Sequence, residues 1–225
     1  VGYLRVEDFD RSDWPDDTVP VKRDAQLLEG LRTVMAALAP YDYWVVDLTQ
    51  NHGGRWLDLG SLLSFFLPED AEVVPHEVRG WREGTRFGFL PTMERLIAHQ
   101  GRVEVSCVLP RELFVLVDQG TASSAEIFAC ATRDISGASL VGERTAGAEL
   151  AVTTLRGPDG SRFTVGGMGG MLEPCEHFQA RGLEPDLLVR LAAPDEAGLG
   201  LVARREALQF RALQAALMAI DQARP

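Results

Sequence analysis

The sequence predicts an α/β fold of mostly parallel strands with a β-hairpin elaboration. Apolar runs at 43–48, 113–117 and 138–142 are too continuous for strands with one wet face, and fit strands buried on both faces. Stretches with helical apolar spacing alternate with them. Two of the runs end in glycine-containing turns, Gln50 to Gly54 and Gly120 to Ser123. Sites in such sheets form at the carboxyl ends of strands.

The elements follow in order. Val1 to Val6 reads as a strand, and Asp10 to Pro20 as a Pro- and Asp-rich loop. Asp24 to Leu38 carries Leu27, Leu28, Leu31, Val34, Met35 and Leu38 at helical spacing, closed by Pro40. Tyr43 to Leu48 is a strand, and Trp56 to Leu67 the next helix. Pro68 to Gly88 reads as irregular, with Trp81 and Phe87 as candidate lid residues, and Pro91 to Gln100 as a short helix. Val103 to Val108 and Leu113 to Val117 are strands. Ser123 to Asp134 is a helix, and Ala138 to Gly142 a short strand. A hairpin is expected around Gly157 to Gly160. Gly166 to Gly170 reads as a flexible loop; it lacks G-x-G-x-x-G spacing and so is no dinucleotide site. Val202 to Ala223 is an amphipathic helix facing inward with Leu208, Ala212, Ala216 and Ile220. These pieces make one domain over 1–225: an N-terminal strand, loop and helix (1–40), a core (41–190) and a C-terminal helix (191–225).

The chain has 225 residues, 46% of them hydrophobic, enough for a real core. Its net charge of −11 repels duplex nucleic acid and anionic membranes, and no basic stripe offsets that. Acidic residues cluster at Glu7 to Asp10 and Asp13 to Asp17, as in a solvated loop. No apolar run is long enough to span a membrane. The chain opens at Val1 on what reads as a core strand, so a processed chain or excised domain is expected. Three widely spaced cysteines, Cys107, Cys130 and Cys175, argue against a disulfide framework and offer no metal-site spacing. Unpaired cysteines tilt the expected compartment slightly towards the cytoplasm. Neither cofactor nor metal is expected, and a homo-oligomer is compatible with the sequence.

The most informative segment is Asp118 to Phe128, a strand end, a Gly-Thr turn and a helix opening at two serines. Backbone N–H groups at a helix N-terminus point outward and hold an oxyanion well. Ser123 is the candidate nucleophile; the plainer alternative is that Ser123 and Ser124 only cap the helix. Gly53 and Gly54 permit close backbone approach, so an N–H from that turn and the N–H of Ser124 are candidate oxyanion donors. Lys22 is the single lysine against 21 arginines, and arginine does not lose its proton at usable pH.

Five stretches in order resemble the tail-specific, or C-terminal processing, serine peptidases, whose catalytic core is related to the Clp protease and crotonase fold. They are Val1 to Val6 with Phe9 as entry strand, Asp47 to Gly54 as the D-x-R-x-N-x-G-G turn, and Gly120 to Glu126 as G-T-A-S-A-S-E. Val141 to Gly147 is similar to G-E-x-T-x-G, and Gly182 to Leu187 to the late G-v-x-P-D motif. The resemblance runs from Val1 to about Val189. It implies that Ser123 is the nucleophile, that the Gly53 and Ser124 amides bind the oxyanion, and that Asp134, at the end of the nucleophile helix, is structural or supporting.

The chain departs from the pattern where the proton is taken. The family's lysine base directly follows G-E-x-T-x-G, and that position is Ala148; the glutamine orienting the lysine falls at Val152. The tricorn core draws a histidine base from the entry strand, and that position is Arg5. Thr49 replaces the arginine of the D-x-R turn. A serine without a base is a weak nucleophile. His52 in the oxyanion turn and His177 before the late motif are the candidate substitutes, with Glu149 as a carboxylate alternative. His76 and His99 sit in polar stretches and read as surface residues. The expectation is a serine-type hydrolase with a non-standard base acting on a peptide or small acyl substrate, which an exposed strand edge could hold. Two alternatives stand beside it. One is an acyl transferase, esterase or cyclising enzyme on the same oxyanion hole; the other is a peptide-binding domain without catalysis.

Overall fold

The computed structural model describes residues 1–9, 20–68, 78–86, 90–98, 107–148, 150–156, 159, 161–169, 178, 180–190 and 200–224. Its centre is a five-stranded parallel sheet. In chain order the core elements are β1 (Gly2–Arg5), α1 (Pro20–Leu38), β2 (Tyr43–Asp47) and α2 (Trp56–Phe66). Two strands of a separate pair follow, β3 (Val78–Arg86) and β4 (Leu90–Ala98). Next come β5 (Glu112–Val117), α3 (Ser124–Ser136) and β6 (Ser139–Gly142). A second pair, β7 (Leu150–Arg156) and β8 (Arg162–Gly169), precedes β9 (Leu187–Leu188) and α4 (Leu201–Ala223). The sheet order is β1-β2-β5-β6-β9, so each new core strand adds on the same side of the last.

The pleat decides which side chain meets which helix. Alternate residues of a strand face opposite ways. Trp44, Val46, Leu113, Val115 and Val117 face one layer with α2 and α3, where Phe66 and Phe128 are fully buried. Trp44 stands edge-on to Phe66 at 5.9 Å and Phe66 edge-on to Phe128 at 5.1 Å, the preferred aromatic geometry. Tyr43, Val45, Phe114 and Leu116 face the other way, onto α4 through Ala212, Ala216 and Ile220. The small alanines let α4 lie close to the sheet. Burial on both faces explains why these strands read as unbroken apolar runs.

Several expectations need correction. Val78–Arg86 and Leu90–Ala98 form an antiparallel hairpin, not an irregular stretch followed by a helix. Trp81 is therefore a strand residue, while Phe87 lies outside the described residues. Gly166 and Gly167 belong to β8, which pairs with β7 in the expected second hairpin, so this glycine run is strand rather than loop. Lys22 falls in α1. Cys130 is disulfide-bonded, against the expectation of unpaired cysteines. The acidic stretch from Asp10 to Asp17, and most of the strand expected at Val103 to Val108, also lie outside the described residues, and Cys107 and Val108 are not in a strand. No helix among the described residues is long and apolar enough to cross a membrane.

Candidate active site

Three chain segments leave the carboxyl ends of β2, β5 and β6 and interlock. The turn after β2 (48–54) is laced to the turn after β5 (118–123) by backbone and side-chain bonds. Ala122 N–H donates to Asn51 O at 2.9 Å, and the Thr121 hydroxyl to Leu48 O at 3.0 Å. Asp118, almost fully buried, accepts from the N–H groups of Gln50, Gly120 and Thr121 and from the Gln50 side-chain amide. Gln50 holds a positive φ of 62°, which these bonds help to impose. Asn51 donates to Val6 O, linking the turn to the chain just after β1.

Asp47 shows how the chain manages without the family's arginine at position 49. Its Oδ1 accepts from the Thr49 N–H at 2.9 Å and the Thr49 hydroxyl at 2.7 Å, and its Oδ2 from Tyr3 and Gln209. The carboxylate is fully buried yet saturated with donors. The Tyr3 phenol is pushed up to about 12, first by burial and then by its bond to Asp47.

Ser123 sits at the start of α3 with φ 54° and ψ −122°. A plain N-cap serine takes extended backbone angles; this one lies in a region that non-glycine residues avoid. Such strain survives only where the surroundings impose it, and it collects at working sites. A sharp strand-to-helix turn that lifts a serine hydroxyl is the nucleophile elbow of other hydrolases. Ser123 also forms a capping box with Glu126, so it closes the helix as well as holding this unusual backbone.

Gly53 explains the closeness of the two turns. Its φ is 90°, and a Cβ built on it would lie 2.7 Å from Ser123 Cβ and 2.9 Å from Ser124 N. Its N–H donates to Asn51 Oδ1 at 2.8 Å. In this structure the Gly53 amide thus already has an acceptor. The Ser124 N–H, first in the helix, has none among the described residues, as helix geometry requires. The Ser124 hydroxyl donates to Gly54 O at 3.0 Å and ties helix to turn.

The residue that organises the site is Glu126, fully buried three positions after Ser123. Its Oε2 accepts the N–H of Ser123 at 3.0 Å and the N–H of Ala148 at 2.8 Å. Its Oε1 accepts the N–H of Gly147 at 2.7 Å and the Thr145 hydroxyl. One carboxylate thus clamps the nucleophile segment to the segment after β6. Ala148, where the family resemblance would place a lysine, shares a hydrogen-bond acceptor with Ser123. The sequence signal for it is the Ser-x-x-Glu spacing of a capping box.

The other candidates fall as follows. His52 is exposed, with Nδ1 3.0 Å from Gly120 O. A carbonyl only accepts, so Nδ1 carries the proton, and in the neutral ring Nε2 is the acceptor nitrogen. No hydrogen bond joins His52 to Ser123. Arg5, at the entry-strand base position, pairs with Glu7 at 3.7 Å. Asp134 accepts from Arg133 at 2.8 Å, eleven residues along α3, which is roughly 16 Å from Ser123 down the helix axis. His177, Glu149, His76 and His99 lie outside the described residues. No cluster of metal-ligating side chains occurs among the described residues.

A cleft of about 1230 Å³ opens beside these turns, lined by Gln50, His52, Gly120 and Ala122, and across from them by residues of the 143–146 segment and α4. The Glu143 carboxyl in its wall is pushed above the ordinary range, first by burial and next by Asp118.

The comparisons agree with this geometry. The family model described as Peptidase family S41 matches residues 1–189. The carboxyl-terminal-processing protease of a Synechocystis species is 31% identical over 165 residues, covering 73% of this chain and 32% of that protein. A probable CtpA-like serine protease of Staphylococcus haemolyticus is 25% identical, over 70% of this chain and 29% of its own length. The chain thus spans about a third of the curated relatives it matches. Among solved structures, mature CPAF superimposes with a TM-score of 0.60 at 15% identity, over 97% of this chain and 50% of that one. The tricorn protease gives 0.51 at 15% identity, over 97% of this chain and 17% of that one. These structures carry the fold alone. With the family model covering most of its length, the chain belongs to peptidase family S41 and has the α/β fold of that family's serine peptidases.

Proposed function

We propose that this domain is a serine hydrolase acting on peptide or other acyl carbonyls, with Ser123 as nucleophile. The observation that carries the reading is the backbone of Ser123, held at φ 54° on the first turn of α3 beside an unused Ser124 N–H. The hydroxyl oxygen attacks the carbonyl carbon and the carbonyl oxygen becomes an oxyanion. The Ser124 N–H receives that charge. The Gly53 N–H joins it by turning from Asn51 Oδ1, since a charged acceptor outcompetes a neutral amide. His52 takes the hydroxyl proton on Nε2 and delivers it to the leaving group. Support for His52 is its tautomer, fixed by Gly120 O, and its place in the turn that touches Ser123. A catalytic hydrogen bond is often loose before substrate binds.

A second reading, peptide binding without turnover, is favoured by Ala148 at the position of the family's base. Hydrolysis of p-nitrophenyl acetate separates the two. Ser123→Ala should fall to the buffer rate. His52→Gln keeps a donor for Gly120 O but holds no proton to shuttle, and should lower kcat about 10²-fold with KM little changed. Equal rates for wild type and Ser123→Ala would leave only the binding reading.

A further inference from the structure

We propose that the cleft beside the Ser123 turn binds a carboxylate carried by the substrate, through Arg181, Arg190, Arg204 and Arg205. The proposal rests on the hydrolase reading and gives it a substrate class.

The charge of the cleft runs against that of the chain. The protein carries −11 overall, yet five of its arginines line this one concavity. The acids present there are already engaged. Asp118 is buried and holds the turn amides. Glu184 pairs with Arg144. Glu143 accepts from Gln119 at 3.0 Å. Arg181, Arg190, Arg204 and Arg205 form no ion pair among the described residues, and all four are exposed. Arg204 and Arg190 both act on Glu143, which brings a β9-side arginine and an α4 arginine to one patch of wall. Exposed guanidinium groups left unpaired in a concave wall are poised for a planar oxyanion, which arginine grips with two parallel N–H bonds.

The placement is directional. The same cleft is lined by His52, Gly120 and Ala122, the residues adjoining Ser123. An extended chain with its carbonyl at Ser123 can therefore run into the arginines. Arg190, Arg204 and Arg205 also lie beyond residue 189, where the family match ends. Arg181 lies within the family match.

The test uses fluorescence anisotropy with the Ser123→Ala protein, so that turnover plays no part. Three rhodamine-labelled peptides of otherwise uncharged sequence are compared. One ends in a free carboxylate, one in an amide, and one in an amide with a penultimate Glu. At low salt one carboxylate peptide should bind about tenfold more tightly than the neutral amide. Which of the two does so identifies the source of the carboxylate. Arg204→Gln/Arg205→Gln should erase most of the preference, leave the neutral peptide's affinity unchanged, and leave the melting temperature unchanged because both positions are exposed. High salt should mimic the double variant. Equal binding of all three peptides, or a preference that survives in the double variant, would overturn the proposal. The hydrolase reading fails separately, by absent fluorophosphonate labelling at Ser123 in the wild-type protein.

Discussion

Ala148→Lys should raise amide hydrolysis by about 10²–10⁴-fold over wild type, the range a well-placed general base supplies. The backbone makes this expectation specific. Ala148 N–H and Ser123 N–H converge on one oxygen of Glu126, so the two residues lie no further apart than those two bonds laid end to end. Ala148 is exposed, which leaves room for a longer side chain. A lysine stem of four carbons spans such a gap, and partial burial beside the turns would favour the neutral amine that takes a proton. Ala148→Arg is the control: it has similar reach and charge but no proton to lose, so it should gain nothing. The gain must also vanish in Ser123→Ala/Ala148→Lys. A folded Ala148→Lys protein no faster than wild type would mean that the segment after β6 does not face the nucleophile as described.

Glu126→Gln should cost about 3 kcal/mol, since a buried charged acceptor of several hydrogen bonds is replaced by a group whose NH2 faces the same donors. For a chain of this size that is roughly a 6–12 °C loss in melting temperature. The amide keeps one oxygen, so one donor pair, Ser123 with Ala148 or Thr145 with Gly147, loses its acceptor. The Ser123 backbone should then relax from its strained angles, and ester hydrolysis should fall further than stability alone explains when measured well below the melting point. Asp134→Ala is the contrast. It alters the exposed far end of the same helix and should shift stability by only about 0.5 kcal/mol or less. Comparable effects of the two substitutions would remove Glu126 from its organising role.

The parts of the fold legible in the sequence were those fixed by burial. Tyr43–Asp47 and Glu112–Val117 are apolar on both faces because helices cover both, and Leu208, Ala212, Ala216 and Ile220 recur every fourth residue because α4 lies along the sheet. The first hairpin was missed for the opposite reason. Val78–Arg86 holds Arg79, Arg82, Glu83 and Arg86 with two glycines and no clean alternation, and Leu90–Ala98 has helix-forming residues after Pro91. Its register sets Arg82 opposite Glu94, a cross-strand pair of opposite charge that sequence periodicity does not reveal. At the site, Ser123, Gly53 and Ser124 were legible as turn residues flanking strand ends. The commitment of the Gly53 N–H to Asn51 was not, because a side chain two residues away competes for the same donor. The arginine cleft was hidden because Arg181, Arg190, Arg204 and Arg205 meet only once β9 and α4 are laid beside the β6 turn.

The central claim is that Ser123 is a working nucleophile, and fluorophosphonate labelling followed by peptide mass spectrometry tests it most directly. The account predicts one adduct, on Ser123, that is lost in Ser123→Ala and slowed in His52→Gln. A wild-type protein that binds peptides but gains no adduct at Ser123 would contradict it.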